Sequence, residues 1–409
     1  MEGEWRERLA AEVGHLLPEL ASLARFLYDH PELAYHEFKA QKAVAELLET
    51  HGLPCEMGVG GEKTAFRAWS PDVPSGSLPG PVVAILAEYD ALPEIGHGCG
   101  HNLSAAAAVG AAIAVKQALP ELAGRVVLVG TPAEEVPPST KGAMHKAGAF
   151  AGVDAVLMMH PDDRTTAKAG ALALSSFDFV FTGKSSHAAK YPHLGVSALD
   201  AALLCFMALE FLREHVPEDV RLHGIITEGG NRPSVVPDRA VIRYYARARE
   251  RPLLDTIIER VLGCARAGAL ATGAGLEIVH LSSQDNLLLV PVLNDILEEN
   301  AADAGAVQVM PASTSWGSND LGDLSHHLPT SKLKTAFVPV DSPNHTREWA
   351  QASVTPAGTA AVAVAAKAMA ITAVRLITEP DLLAAVKTDF AAQRAAAARR
   401  AGSVTTIGR

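Results

Sequence analysis

The segment GHGCGHN (96–102) sets Cys99 and His101 two residues apart, with Gly98 and Gly100 beside them. A thiolate and an imidazole at that spacing can grip a divalent transition metal, and the glycines leave the backbone free to turn both side chains inward. The same cysteine could serve as a nucleophile with His97 or His101 as its base, although no familiar cysteine-protease pattern surrounds it. GTPAEE (130–135) supplies Glu134 and Glu135. Adjacent carboxylates at a strand end point in different directions, so one can bind a metal while the other shuttles a proton. MMHP (158–161) ends an apolar run on His160, and SPNHTREW places His345 in a polar loop before a helix.

Each of these signals is weak alone. Three successive strands ending in Cys/His, Glu/Glu and His are a much rarer coincidence. The candidate ligands are Cys99, His101, Glu135, His160 and His345. Five ligands exceed what one tetrahedral zinc takes, but they suit two divalent ions, zinc, manganese or cobalt, sharing a bridge. Such a pair polarises a carbonyl and acidifies a bridging water. Glu134 would take the proton of that water and pass it to a leaving amine, which is amide hydrolysis.

The elements that must position these residues follow from periodicity. Segments 11–30 and 37–52 have apolar residues at helical spacing. PVVAILAEY (81–89), RVVLVGT (125–131) and VDAVLMMH (153–160) are continuous apolar runs, as expected of strands covered on both faces. Alanine-rich 103–119 and GAMHKAGAF (142–150) lie between them, which gives βαβ units with the candidate ligands at the strands' carboxyl ends, the usual ligand-binding edge. After about residue 168 the order becomes β-α-β-β-α-β, a separate two-layer α+β domain inserted into the first. The expected division is a catalytic α/β domain over 1–170 and 285–409, with a mixed, mostly parallel central sheet, and a smaller domain over 171–284. Residues 391–409 read as a fraying helix and a disordered tail.

The chain has 409 residues, 48% hydrophobic and 20% charged, with net charge -11. That balance argues against a nucleic-acid partner held by a basic footprint. The N-terminus lacks the uninterrupted apolar core of a secretion signal, and apolar stretches such as PVVAILA are too short to span a bilayer, so no membrane partner is expected. Four scattered cysteines, Cys55, Cys99, Cys205 and Cys264, suit a reducing cytoplasm better than a disulfide framework. GVGGEKT (58–64) approaches a phosphate loop but carries Glu62 where glycine is required, and is expected to form a turn.

The motifs resemble the M20 family of metallopeptidases and amidohydrolases, in the branch of aminobenzoyl-glutamate hydrolases, N-acyl amino acid hydrolases and aminoacylase-1-like-2 dipeptidases. The matching stretches run in family order through nearly the whole chain: HPELAYHE (30–37), AEYDALPEIGHGCGHN (87–102), GTPAEE, MMHP, SSHAA (185–189), GGNRPSVVPD (229–238), YYARA (244–248), GSNDLGDLSHHLP (317–329) and NHTREW (344–349). The resemblance implies a two-metal catalytic domain interrupted by a lid domain that also forms a homodimer. It implies the same five ligands, with Glu134 as general base. It further implies Asp90 as a residue that orients the site from behind the ligands, and His187 of SSHAA as the group that stabilises the tetrahedral oxyanion.

Two departures concern the substrate. Ser234 stands where the family carries an asparagine, and serine is shorter and lacks the amide's donor pair. GSNDLGDLS carries Asn319 and Asp323 at altered positions and keeps Asp320 and Ser325. Arg232, Arg243 and Arg247 are candidates for binding a substrate carboxylate. The expected substrate is a small amide: a dipeptide, an N-acyl amino acid or an aryl-amide conjugate. The competing readings are a non-catalytic small-molecule binding protein that kept the fold, and a cysteine hydrolase using Cys99.

Overall fold

The computed structural model describes residues 2–70, 80–136, 138–314 and 316–404. The chain forms two compact units. The first takes 1–170, 288–316 and 323–395. The second takes 171–287, 317–322 and the residues from Ala396 onward, and so includes short segments that the sequence reading groups with the first.

The first unit opens with α1 (Glu2–Asp29) and α2 (Phe38–Thr50), followed by β1 (Cys55–Met57) and β2 (Phe66–Ser70). Next come β3 (Val82–Ala87), α3 (His101–Ala118), β4 (Arg125–Gly130), α4 (Lys141–Lys146) and β5 (Ala155–Asp162). The second unit is β6 (Ala173–Thr182), α5 (Ala198–Arg213), β7 (Arg221–Glu228), β8 (Arg239–Ala248), α6 (Arg251–Thr272) and β9 (Gly275–Gln284). The chain then continues through α7 (Pro291–Asp303), α8 (Leu321–Ser325), β10 (Thr330–Ala336), α9 (Arg347–Ala352), α10 (Pro356–Thr378) and α11 (Pro380–Val404). Helix α11 runs to Val404, and the expected tail, 405–409, lies outside the described residues.

In the first unit the sheet order is β1-β2-β4-β3-β5-β10. β4, β3, β5 and β10 run parallel, and β1 and β2 add an antiparallel edge. β4 is buried along its whole length and β3 over all but its first residue, as the unbroken Val/Ile/Leu runs require. The chain leaves β3 for β4 on one side and returns to β5 on the other. That reversal puts a crevice at the carboxyl ends of the three strands.

α1 buries Leu9, Val13, Leu16, Leu20, Leu23 and Leu27, a stripe at three- and four-residue steps, and packs on α3 and α10. α3 is sealed on almost every side, which its small alanine side chains permit. At Gly110 even a methyl group would stand 2.6 Å from Leu20 Cδ1. α10 is, by length and composition, apolar enough to cross a membrane, a stretch that the sequence reading passed over. Here 83% of its apolar window is buried, against α1, α3 and α7.

The second unit is an antiparallel sheet of order β7-β8-β6-β9. α5 and α6 cover one face around a core that includes Phe177, Phe179, Phe181, Ile242 and Tyr244. Burying each such aromatic ring contributes about 1.5–3 kcal/mol. Cys205 lies in that core and Cys264 packs against it, and burial pushes the Cys205 thiol up to about 12, as befits packing residues. The outer face of α5 leaves Leu203, Leu204, Met207 and Phe211 exposed at helical spacing.

Candidate metal centre

β3 ends at Ala87 and the chain turns through residues 88–100 before α3 starts at His101. Gly100 makes that entry possible. Its φ is +88°, and a Cβ there would stand 2.8 Å from Pro161 Cγ. The turn places Cys99 and His101 beside the end of β5, where Cys99 Sγ lies 3.3 Å from His160 Nε2.

Each histidine is oriented from behind. His101 Nδ1 donates to the backbone oxygen and to Oδ1 of Asp90, both at 3.1 Å, and His160 Nδ1 donates to the Pro161 carbonyl at 2.8 Å. With Nδ1 engaged in this way, Nε2 of each ring is the atom presented for ligation. The other oxygen of Asp90 accepts the Glu135 backbone N–H at 2.9 Å, so this buried carboxylate fixes the end of β3 against the segment after β4.

A second buried carboxylate, Glu37, completes the frame. Its Oε1 accepts the N–H of Ala133 at 2.9 Å and its Oε2 accepts the Thr64 hydroxyl at 2.8 Å. Ala133 has φ +57°, a left-handed conformation that a non-glycine residue adopts only when its surroundings hold it there. Glu37 and Asp90 thus pin the backbone on either side of Glu134. The late loop is tied in by the His345 N–H on the Gly98 carbonyl at 2.9 Å and by Trp349 Nε1 on the Cys99 carbonyl at 3.4 Å. His345 Nε2 then lies 3.8 Å from Glu135 Oε1.

These constraints gather the five candidate ligands and Glu134. Cys99, His101 and His160 offer donor atoms within 4.8 Å of one another, as do Cys99, Glu135 and His345, and as do His101, Glu134 and Glu135. His101 Nε2 and Glu135 Oε1 are buried without a hydrogen-bond partner among the described residues, although such groups are nearly always satisfied. A thiolate, three imidazoles and carboxylates around such orphaned atoms suit divalent transition metals.

The electrostatics are those of a buried centre. Burial pushes His160 down to about 3, with Lys332 adding to the effect. Burial and the neighbouring Glu135 push the Cys99 thiol up. For His101 burial works downward, but Cys99, Glu88 and Asp90 outweigh it and raise the imidazole. His97 is also buried, is pushed down to about 3 chiefly by burial, and belongs to none of the ligand groups.

His187 belongs to the second unit, where it is exposed. Its Nδ1 accepts the N–H groups of Ala189 and Lys190 at 3.3 and 3.2 Å, which leaves the ring proton on Nε2. Ser234 accepts the Ala188 N–H through its carbonyl. Of the candidate arginines in the second unit, Arg243 is held in a two-pronged pair with Asp178, Arg247 donates to the Ser318 hydroxyl, and Arg232 is exposed. His327 stacks on His145 with ring centroids 4.5 Å apart.

The sequence reading passed over Glu37, Glu88 and Lys141. Glu88 and Lys141 are fully buried and form an ion pair at 2.7 Å. A charged residue closing a buried apolar strand was a visible signal for Glu88. Nothing local marked Lys141.

Residues 84–393 match the model of peptidase family M20/M25/M40, and the chain belongs to that family. It is an M20 hydrolase. The Xaa-Arg dipeptidase of Mus musculus is 34% identical over 398 residues, covering 94% of this chain and 92% of that protein. A p-aminobenzoyl-glutamate hydrolase polypeptide of Escherichia coli (strain K12) is 32% identical, covering 88% of this chain and 89% of its own. Two solved structures share the fold. The aminobenzoyl-glutamate utilization protein of Klebsiella pneumoniae has a TM-score of 0.69 at 22% identity, covering 90% of this chain and 98% of its own. The YXEP protein of Bacillus subtilis, a dinuclear metal binding peptidase of the M20 family, has a TM-score of 0.64 at 22% identity, covering 89% and 99%.

Two outcomes follow from this geometry. Glu37→Ala orphans the buried Ala133 N–H and is expected to cost about 1–3 kcal/mol of stability, together with a fall in kcat; urea unfolding beside steady-state kinetics measures both, and unchanged kcat would make Glu37 purely structural. His97 gives a pH dependence. Its pKa is about 3 in the fold against 6.5 unperturbed, so between those values only the unfolded chain binds the proton. This contribution to metal-free stability is full above about pH 6.5 and falls, as the pH drops toward about 3, by up to about 1.4 kcal/mol per pH unit. Denaturant unfolding of His97→Leu across that range should show a slope shallower than wild type by this amount; equal slopes would mean that the folded protein takes up the proton.

Proposed function

We propose that this protein is a two-metal amidohydrolase that cleaves the amide bond of a small dipeptide, N-acyl amino acid or aryl-amide amino acid conjugate. Cys99, His101, Glu135, His160 and His345 hold the metals. The observation that carries the reading is the convergence of their donor atoms, within 4.8 Å in overlapping groups, around buried atoms with no hydrogen bond. The names of the mouse and Escherichia coli relatives, a dipeptidase and an aryl-amide hydrolase, support the substrate class.

Bound divalent ions, whether zinc, manganese or cobalt, polarise the scissile carbonyl and acidify water. The chain's own residues do the rest. Glu134, held by the backbone anchors on Ala133 and Glu135, accepts a proton from the attacking water on a carboxylate oxygen and delivers it to the leaving nitrogen. Asp90 keeps His101 in the tautomer that presents Nε2. His187, with its proton on Nε2, is suited to donate to the oxyanion that forms on the carbonyl.

The reading includes a homodimer built through the second unit. Leu203, Leu204, Met207 and Phe211 form an exposed stripe on α5, and β7, an edge strand, exposes Ile225 and Ile226. A second copy of the same face covers both a helix stripe and an open strand edge. Four free cysteines fit a cytoplasmic setting.

Glu134→Gln is expected to keep the wild-type metal content while kcat falls by about 100-fold or more. Elemental mass spectrometry beside turnover of a dipeptide and N-acyl amino acid panel checks it, and full activity in this variant would remove Glu134 from its role. Replacing Met207 and Phe211 together with glutamate is expected to turn a dimer into a monomer, read by light scattering; a wild-type monomer at the same concentration would end the dimer reading.

A further inference from the structure

Glu88, the first residue after β3, is fully buried, and so is Lys141 at the start of α4. Lys141 Nζ donates to Glu88 Oε1 at 2.7 Å, while Glu88 Oε2 stands 3.4 Å from Nε2 of His101.

Two arguments turn this pair toward the metals. The first is energetic. Taking two charges out of water costs about as much as their attraction returns, and an apolar pair of similar volume is often as stable or more so. A fully buried ion pair beside His101 is therefore poorly explained by stability. The second is geometric. Two donors each bound at 2.0–2.2 Å to one tetrahedral ion lie roughly 3.3–3.6 Å apart, and the Glu88–His101 spacing of 3.4 Å falls in that range. Glu88 also offers an oxygen within 4.8 Å of Glu134.

We propose that Glu88 is a metal-binding residue of this centre, beyond the five ligands above, and that Lys141 is a positioning residue that takes one carboxylate oxygen so that the other faces the metal. The inference rests on the two-metal reading. The pair adds a ligand without adding net charge, because the Glu88 carboxylate brings the Lys141 ammonium with it.

The test uses the full-length protein stripped of metal and titrated with zinc alone against a chromophoric chelator, with bound ions counted by elemental mass spectrometry. The double variant Glu88→Met with Lys141→Met is expected to melt, unloaded, at or above the wild-type temperature. One of its two zinc ions is expected to bind about 100-fold more weakly. If the double variant takes two ions at wild-type affinity, Glu88 is no ligand and only this proposal falls. A wild type that binds no zinc overturns the two-metal reading and this proposal together. Should the double variant not melt cooperatively, Glu88→Asp decides by the same measure: it keeps the charge and the lysine but withdraws the oxygen by one methylene, so unchanged affinity there overturns the proposal.

Discussion

Asp90 holds His101 through one oxygen and the Glu135 amide through the other, and this pair of bonds sets the spacing between the chemistry after β3 and the chemistry after β4. Parallel strands bring chain segments to one edge but do not aim side chains. Aiming needs a rigid acceptor between them, and a buried carboxylate with both oxygens engaged is the stiffest one available. Glu37 does the same for Ala133 from the other direction. The peptide of Glu134 is caught between the two, which is how a non-glycine residue beside it comes to keep a positive φ.

The dry floor of the centre carries cations as well as carboxylates. Lys332 lies on β10 two residues before Lys334, whose register partner is His160, and Lys334 is itself paired with Asp162. Burial pushes the Lys332 ammonium down, Lys334 pushes it further, and Glu88, Glu134 and Asp162 pull it back. Charges of both signs are interleaved here although every group among them is costly to bury.

Much of this was legible in the sequence because it rests on period and punctuation. Unbroken apolar runs led into Cys99, Glu134 and His160, and the runs became β3, β4 and β5. The β-α-β-β-α-β order of the second unit was readable from the alternation of its patterns. What stayed hidden was long-range. Glu37 opens a helical pattern in the sequence, and only the fold brings Ala133 to it, 96 positions later in the chain. Lys141 carried no local mark, and its buried partner Glu88 lies 53 positions earlier in the chain, which no local period encodes. α10 has the length and apolarity that suit a bilayer, and only its neighbours α1, α3 and α7 show that it is a core helix.

The ties between the late loop and GHGCGHN have a consequence for how the molecule is made. Trp349 reaches the Cys99 carbonyl across 250 positions of chain, and all of β6 to β9 is synthesised between them. A growing chain therefore exposes its thiol and the histidines of its first half long before the segment that closes over them has left the ribosome. Four of the five candidate ligands, Cys99, His101, Glu135 and His160, are made well before His345, and every nascent chain passes through a stage in which they stand without it.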